Sequence, residues 1–491
     1  MIYVHWLIIT VYVLAVVGTV ARVLLDNRQP AKTMAWVMVL FFVPVVGIIL
    51  YFFFGQNTRK ERLISQQSLN QLAKRSMFEY EEQADLQVPE EYRALLSLFM
   101  KQNGAMPFKD NHVDIFTDGY AFFHSLLRDM AGARHHIHID SYIFNDDALG
   151  NLIADALISH ARRGVEVRVI YDDVGNWKVK TDFYERMRDA GVEVHAFMPV
   201  KFPAFTSKVN YRNHRKMCVI DGHTGYIGGM NIATRYVQGK WKTQGGTRRG
   251  QSWRDTHLRI RGGAVYGIQR AFLIDWYFVD RTLITSRRYY PDFTPGTGDE
   301  GRPLMVPRNQ CLIQIVTSSP IAPWPVIMQG YVRILTDARR YVYMETPYFL
   351  PTEPVLFAMR TAALAGVDVR LMIPYKTDAR LVEWASRSYV RETLEAGVKV
   401  YLYHAGFNHS KLLVCDDELC SCGSSNIDFR SFENNFESNA FIYDHAMAMR
   451  MKAVFLEDQS QSHLLSDGEN LRRPLHERLW ESVVRLFSPL L

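Results

Sequence analysis

Two stretches of this 491-residue chain carry the same four polar side chains at the same spacing. The first runs from His214-Arg215-Lys216 through Asp221 to Asn231, the second from His409-Ser410-Lys411 through Asp416 to Asn426. In each, the Lys follows the His by two positions, the Asp by seven and the Asn by seventeen. His and Lys at i and i+2 of an extended chain point to one face. A phosphate lying there would meet an imidazole and an ammonium together. Gly228-Gly229 and Gly423-Ser424 precede the two asparagines; glycine there lets backbone approach closely and turn, so that Asn can add an amide donor. Two such copies, face to face across one cleft, would surround a single phosphodiester with two His, two Lys and two Asn. That set suits double displacement. One His attacks phosphorus; the other protonates the departing oxygen and then activates an incoming hydroxyl. Lys and Asn would hold the charge on the non-bridging oxygens, so the chemistry calls for no metal or other cofactor. One H-x-K-x4-D is a weak signal, but the same four positions twice in matched surroundings form a specific one.

Those surroundings are strands alternating with helices. The apolar residues after each Lys, Met217-Cys218-Val219-Ile220 and Leu412-Leu413-Val414-Cys415, read as buried strands. Upstream, residues 136–144 match residues 341–349 in alternation. Gly164-Val165-Glu166-Val167 matches Gly366-Val367-Asp368-Val369, and Ala190-Gly191-Val192 matches Ala396-Gly397-Val398. A glycine before each strand, with helical pattern between, predicts an α/β fold. The expected fold class is two similar α/β/α lobes related by a pseudo-twofold axis. A Gly/Pro-rich break at residues 294–301 reads as the linker between them. The expected domains are therefore 1–57, an apolar membrane segment; 58–105, a charged helical connector; 106–300, the first lobe; and 301–491, the second. His136 and His138 share one strand face, but two further ligands are not evident, so they read as structural.

The N-terminal segment has two apolar runs, Ile2 to Ala21 and Met34 to Phe54, each about the length that crosses a bilayer. The first lacks the basic start of a cleaved signal, and the second follows at once, so a two-helix hairpin is expected. Arg22, Arg28 and Lys32 lie on the connecting loop, against Arg59, Lys60, Arg62, Lys74 and Arg75 beyond the second run. The count favours a cytoplasmic catalytic region. The net charge of +6 fits an anionic partner such as lipid headgroups, and is too weak to argue for nucleic acid. The five cysteines, Cys218, Cys311, Cys415, Cys420 and Cys422, give no disulfide framework and no C-x-x-C zinc knuckle. They read as small apolar residues in a reducing compartment.

The motifs resemble those of the phospholipase D superfamily, and within it the bacterial cardiolipin synthases with two motifs. The resemblance covers nearly the whole chain. It includes Asn27-Arg28-Gln29-Pro30, Tyr211-Arg212-Asn213-His214-Arg215-Lys216, Trp253-Arg254-Asp255-Thr256-His257, Thr346-Pro347-Tyr348-Phe349, Arg430-Ser431-Phe432 and the final Ser488-Pro489-Leu490-Leu491. It implies a bacterial inner-membrane enzyme that spans the bilayer more than once. One phosphatidylglycerol would give its phosphatidyl group to a histidine, releasing glycerol, and the hydroxyl of a second would then attack to form cardiolipin. The implied catalytic residues are His214, Lys216, Asp221, Asn231, His409, Lys411, Asp416 and Asn426. The family also has downstream acids that bond the histidines, here Glu437 and Asp255. The resemblance implies His214 as the nucleophile. Arg212 and Arg215 beside it agree, because flanking cations keep an imidazole neutral. Glu437, if it faces His409, would raise that pKa and suit an acid; which His each acid faces is not readable here. Asp140 stands where the family more often has Glu, and Asn434 where an apolar residue is usual, which bears on the acceptor.

The competing functions are a lipid hydrolase with water as acceptor, a nuclease, and an inactive membrane scaffold. The apolar spans and modest charge argue against the nuclease, and the intact His, Lys and Asn in both copies against the scaffold. Whether the acceptor is phosphatidylglycerol or phosphatidylethanolamine stays open. Residues 201–208 and the basic Gly-rich stretch from Trp241 to Arg249 suit either a solvated loop or contact with an anionic membrane surface. From Pro474 onward, Leu475, Leu479, Val483 and Leu486 recur at helical spacing, predicting an amphipathic helix packed by that face on a lobe.

Overall fold

A computed structural model describes residues 2–25, 30–51, 90–200, 210–238, 240–244, 247–251, 253–291, 311–466 and 474–488. The expected linker at 294–301, most of the connector and the 201–208 stretch lie outside them. Of the connector, Arg93–Asn103 is a helix that buries Leu95, Leu96 and Phe99.

Among the described residues the fold is α/β, organised by one 16-stranded sheet. At its centre Pro107–Phe116 runs antiparallel to Cys311–Ser318. Outward through the N-terminal half follow His257–Arg261, Thr224–Gly228, Lys216–Ile220, His136–Ser141, Glu166–Asp172 and Glu193–Phe197. Outward through the C-terminal half follow Asn435–Tyr443, Leu419–Gly423, Leu412–Cys415, Tyr341–Glu345, Asp368–Pro374, Lys399–Tyr403 and, at the edge, Ser462–Leu464. The parallel pairs, such as His136–Ser141 with Glu166–Asp172, are joined by helices covering the sheet, and their residues are almost all buried. Continuous apolar runs rather than clean alternation are what such strands require. Gly164, Gly191, Gly366 and Gly397 all take positive φ, from 88° to 94°, where a helix turns into the next strand. No neighbour would touch a Cβ added there, so glycine serves the backbone conformation itself.

The core runs across the centre of the sheet without a break. One cluster joins Val219, Ile260 and Phe272 of the first half to Ile313, Val414, Ile442 and Met447 of the second. His136 and His138 are fully buried and share the amide of Gln269, at 3.0 and 2.9 Å. Burial pushes the His136 imidazole down to about 2 and that of His138 to about 4. They are uncharged core groups, as the sequence indicated.

Three local expectations differ. The N-terminal helix Ile2–Leu25 contains a stretch, Tyr3–Leu25, long and apolar enough to cross a membrane. The second apolar run is not one helix: Pro30–Phe42 ends at a bend, and Pro44–Leu50 restarts, because Pro44 cannot donate the helical hydrogen bond. The Trp241–Arg249 stretch lies in an antiparallel hairpin, Lys240–Gln244 with Thr247–Gln251, rather than an open loop. The C-terminal helix Leu475–Arg485 forms as expected, but Leu475, Leu479 and Leu486 are exposed while Glu481 and Val484 are buried. It packs through the face opposite to the one its periodicity marked out.

Candidate active site

Each candidate histidine sits at the end of a two-residue strand that crosses from one half of the chain to the other. Arg212–Asn213 pairs in parallel with Asn435 and Phe436, and the His214 N–H then donates to the Phe436 carbonyl at 2.9 Å. Phe407–Asn408 pairs in parallel with Trp253–Arg254, and the His409 N–H donates to the Arg254 carbonyl at 2.7 Å. The next residue of each partner strand is therefore an acid facing the histidine. Glu437 holds His214 Nδ1 through both carboxylate oxygens, at 3.0 and 3.1 Å. Asp255 Oδ2 holds His409 Nδ1 at 2.7 Å. Each motif's histidine is thus oriented by the other half's carboxylate.

The lysines lie in the same layer. Lys216 Nζ donates to the His214 carbonyl at 2.5 Å and stands 5.1 Å from the centre of the Tyr142 ring. Lys411 Nζ donates to the His409 carbonyl and is 2.8 Å from His409 Nδ1. Tyr142 packs edge-on to His214 at 4.9 Å, and Trp253 and Phe407 flank His409 at 5.2 and 5.6 Å. Gly229 has a steric duty here, since a Cβ on it would stand 2.0 Å from Asp255 Oδ1.

Water hardly reaches this layer: His214 is 9 % exposed, His409 5 %, and Lys216 and Lys411 no more than 2 %. Burial, with the two ammonium groups, pushes His214 down to about 4 against the pull of Glu437. Burial, then Lys411, Lys216 and His214, push His409 well below its usual value. Burial lowers Lys216 to about 7, and Lys411 to about 8. Glu437 stays below the usual carboxylate range despite burial, because His214, Lys216 and Ser424 favour its charge. Burial raises Asp255 instead. Two ammonium groups beside one ionised carboxylate suit a phosphodiester anion. A pH dependence follows. In the free protein the ammonium of Lys216 is lost as pH rises through about 7 and that of Lys411 through about 8. We expect kcat/KM to fall above those values. The alkaline fall of kcat should come later, because bound phosphate holds both protons on. Steady-state profiles check this, and Lys216→Arg, which keeps its charge, should lift the alkaline limb of kcat/KM; an unmoved limb would exclude Lys216.

Comparison with known proteins shows the family. A family model described as "Cardiolipin synthase, PLD-like domain" matches residues 126–243 and 331–459, and a phospholipase D-nuclease N-terminal model matches 8–56. The major cardiolipin synthase of Bacillus subtilis is 38 % identical over 491 residues, covering 98 % of each chain. This chain belongs to the cardiolipin synthase family. The cardiolipin synthase of Alkalihalophilus pseudofirmus is 39 % identical over 98 % of this chain and 93 % of its own. Among solved structures, the phosphatidylserine synthase of Haemophilus influenzae superposes with a TM-score of 0.59 over 81 % of this chain and 100 % of its own, at 13 % identity. That likeness speaks for the fold.

Within this family member, the motif's distal residues stand apart from the histidines. Asp221 and Asp416 end the strands that begin beside the histidines, roughly 16 Å further along at ~3.3 Å per residue. Asp221 accepts the main-chain N–H groups of Arg134, His135 and His136, each at 2.8 Å. Asp416 accepts those of Arg339, Arg340 and Tyr341 at 2.8 to 2.9 Å. Both take φ of 52°. They tie the turn that starts each neighbouring strand and are not part of the reacting cluster. The asparagines are also committed: Asn231 accepts from the Ile143 N–H and donates to the Tyr236 hydroxyl, while the Asn426 amide donates to Asp428. The arginines flanking His214 carry no net charge to it, because Arg212 pairs with Asp172 and Arg215 with Asp275.

Of a second ring of polar groups, the sequence marks Asp140 but not how it is partnered. Asn213 donates to both oxygens of Asp140, at 2.9 and 3.0 Å, and Asn408 donates to Glu345 at 3.2 Å. Arg254 bonds Asp458 at 3.0 Å. Burial and Asp458 push Glu345 up to about 8. The signal was present: both motifs are preceded by Asn, and Asp140 and Glu345 occupy matching strand positions.

Proposed function

We propose that this protein is a cardiolipin synthase acting by two histidines in turn. The observation that carries the reading is the crossed pair of imidazole–carboxylate contacts, His214 with Glu437 and His409 with Asp255. For His214, Nδ1–H donated to Glu437 leaves Nε2 with its lone pair for attack. His214 Nε2 attacks the phosphorus of one phosphatidylglycerol. The P–N bond forms, the bond to glycerol breaks, and His409, which takes a proton from solvent onto Nε2 as the anionic substrate binds, gives that proton to the departing oxygen. His409 then takes the proton from the hydroxyl of a second phosphatidylglycerol, whose oxygen attacks the same phosphorus. The P–N bond breaks, cardiolipin forms, and both rings return to their starting state. Charge builds on the attacking ring, and the ionised, doubly bonded Glu437 is better suited than Asp255 to stabilise it. A low pKa makes His409 a strong acid once the charge of the bound phosphodiester has drawn a solvent proton onto it. Lys216 and Lys411 hold the non-bridging oxygens.

The strand order on either side of the central pair supports two lobes of like construction, residues 106–300 and 301–491, with a pseudo-twofold axis between Pro107–Phe116 and Cys311–Ser318. We read residues 1–57 as a membrane hairpin whose second arm bends at Pro44, and 58–105 as the connector. The catalytic region is read as cytoplasmic, on the inner bacterial membrane, with no nucleic acid among its partners.

Purified protein given labelled phosphatidylglycerol, with excess chelator throughout, tests the reaction. Cardiolipin and glycerol should form in equal amounts at an undiminished rate. Phosphatidic acid without cardiolipin would make the protein a hydrolase, transfer only to phosphatidylethanolamine would change the acceptor, and loss of turnover restored by one divalent ion would overturn the metal-free scheme.

A further inference from the structure

The C-terminal helix Leu475–Arg485 is mounted with its leucines turned away from the protein. Around the helix axis, Leu475, Leu479, Val483 and Leu486 fall within an arc of about 80°, which Trp480 and Phe487 extend to about 140°, at 3.6 residues per turn. All six are exposed: Leu475 by 79 %, Leu486 by 77 % and Leu479 by 69 %. The opposite side holds Glu481 and Val484, both 4 % exposed. It is fixed to the helix Arg380–Glu395. Arg485 bonds Glu392 and stacks on Tyr389 at 4.1 Å, and Trp480 meets Trp384 edge-on at 6.0 Å. Leu381, one turn before Trp384, is also half exposed. A soluble helix buries its leucines; this one shows them and sets Glu481 and Val484 against the protein.

We propose that this face lies in the surface of the lipid bilayer, a second attachment separate from the apolar N-terminal helix. Three features select a bilayer as occupant. The face has the composition of an in-plane membrane helix, with leucines at its centre and an aromatic ring at its margin. Arg478 lies within the helix, matching anionic headgroups. The same chain carries the helix Tyr3–Leu25, long and apolar enough to cross a membrane. The choice of a bilayer over a second copy of the chain rests in part on the lipid-substrate reading above. Mounted on the C-terminal half, the helix would set how the catalytic domain stands over the membrane from which both substrates come.

The five native cysteines are all buried. A single cysteine introduced as Leu479→Cys or Leu486→Cys in the full-length protein can therefore be labelled selectively with an environment-sensitive fluorophore. Glu477→Cys, on the opposite side of the same helix, is the control. Each protein is reconstituted into phosphatidylglycerol–phosphatidylethanolamine vesicles with and without brominated acyl chains. Labels at 479 and 486 should be quenched by bromine at least about twofold more than at 477, as expected for a face buried among acyl chains. Equal quenching at all three positions would overturn the proposal. So would bromine-insensitive labels at 479 and 486 showing energy transfer between copies, which would assign the face to self-association. Cardiolipin formation is measured on the same samples. Differential quenching with no cardiolipin formed would retain the membrane face while removing the proposed reaction.

Discussion

Replacing His214 or His409 by alanine should each lower cardiolipin formation on the order of 10⁴-fold or more, the loss expected when one member of a unit that works together is removed. The two variants should differ in what they retain. His409→Ala keeps the nucleophile: His214 still has Nδ1 anchored to Glu437 at 3.0 Å, and Nε2 can still attack phosphorus. It lacks the group that activates the incoming hydroxyl. Labelled phosphatidylglycerol should therefore leave acid-labile label on the His409→Ala protein, accompanied by slow glycerol release. The His214→Ala protein should carry none. Label on His214→Ala and none on His409→Ala would reverse the roles while keeping the two-histidine chemistry. Label on neither, with cardiolipin still formed, would remove the covalent intermediate altogether.

Glu437→Gln should cost roughly 10³–10⁴-fold in kcat, the scale seen when the carboxylate of a triad becomes an amide. Glutamine keeps the shape but loses the charge, and its amide can donate to Nδ1, which favours the tautomer that buries the lone pair and leaves N–H in the cleft. The charge matters because Glu437 is fully buried yet held ionised by His214, Lys216 and Ser424. Asp255→Asn should cost less, roughly 10²-fold on the scale of general acid–base catalysis. Its carboxyl is already raised by burial and so contributes less charge to His409. Single-turnover measurements separate the steps: Glu437→Gln should slow glycerol release itself. Equal effects of the two variants on kcat would mean that orientation alone, and not the charge at His214, sets the rate. An unchanged rate in Glu437→Gln would remove it from the mechanism.

Much of the candidate site is legible in the chain because its rule is local. His-x-Lys on an apolar strand fixes which two side chains share a face, and a period of two residues needs no tertiary knowledge. The same logic fails for Asp221 and Asp416. Their fixed distance from the histidine looks like membership in the cluster, but on a straight strand seven residues of spacing carries a side chain to the other end. The asparagines have two local uses: an amide beside a glycine turn can reach a phosphate or tie its own loop, and here the Asn231 and Asn426 amides donate to Tyr236 and Asp428. The repeated Asn before each histidine was in plain view. Its partners Asp140 and Glu345 lie 73 and 63 residues away, on neighbouring strands, so its purpose was not.

By itself the sequence determined the chemistry and its duplication: two imidazoles, two ammonium groups, the glycine-led strands of an α/β fold and an apolar N-terminus. Periodicity and spacing act over a few residues, and these are their products. The tertiary structure alone decided which acid serves which histidine. That choice depends on the register of two short parallel contacts, Asn435 beside Arg212 and Trp253 beside Phe407, between segments more than 150 residues apart. It also decided the direction of the C-terminal helix, because amphipathic spacing defines a face without saying what lies opposite it. The outcome depends on whether the Arg380–Glu395 helix offers a partner for Arg485 or a cavity for leucine, and it offers Glu392.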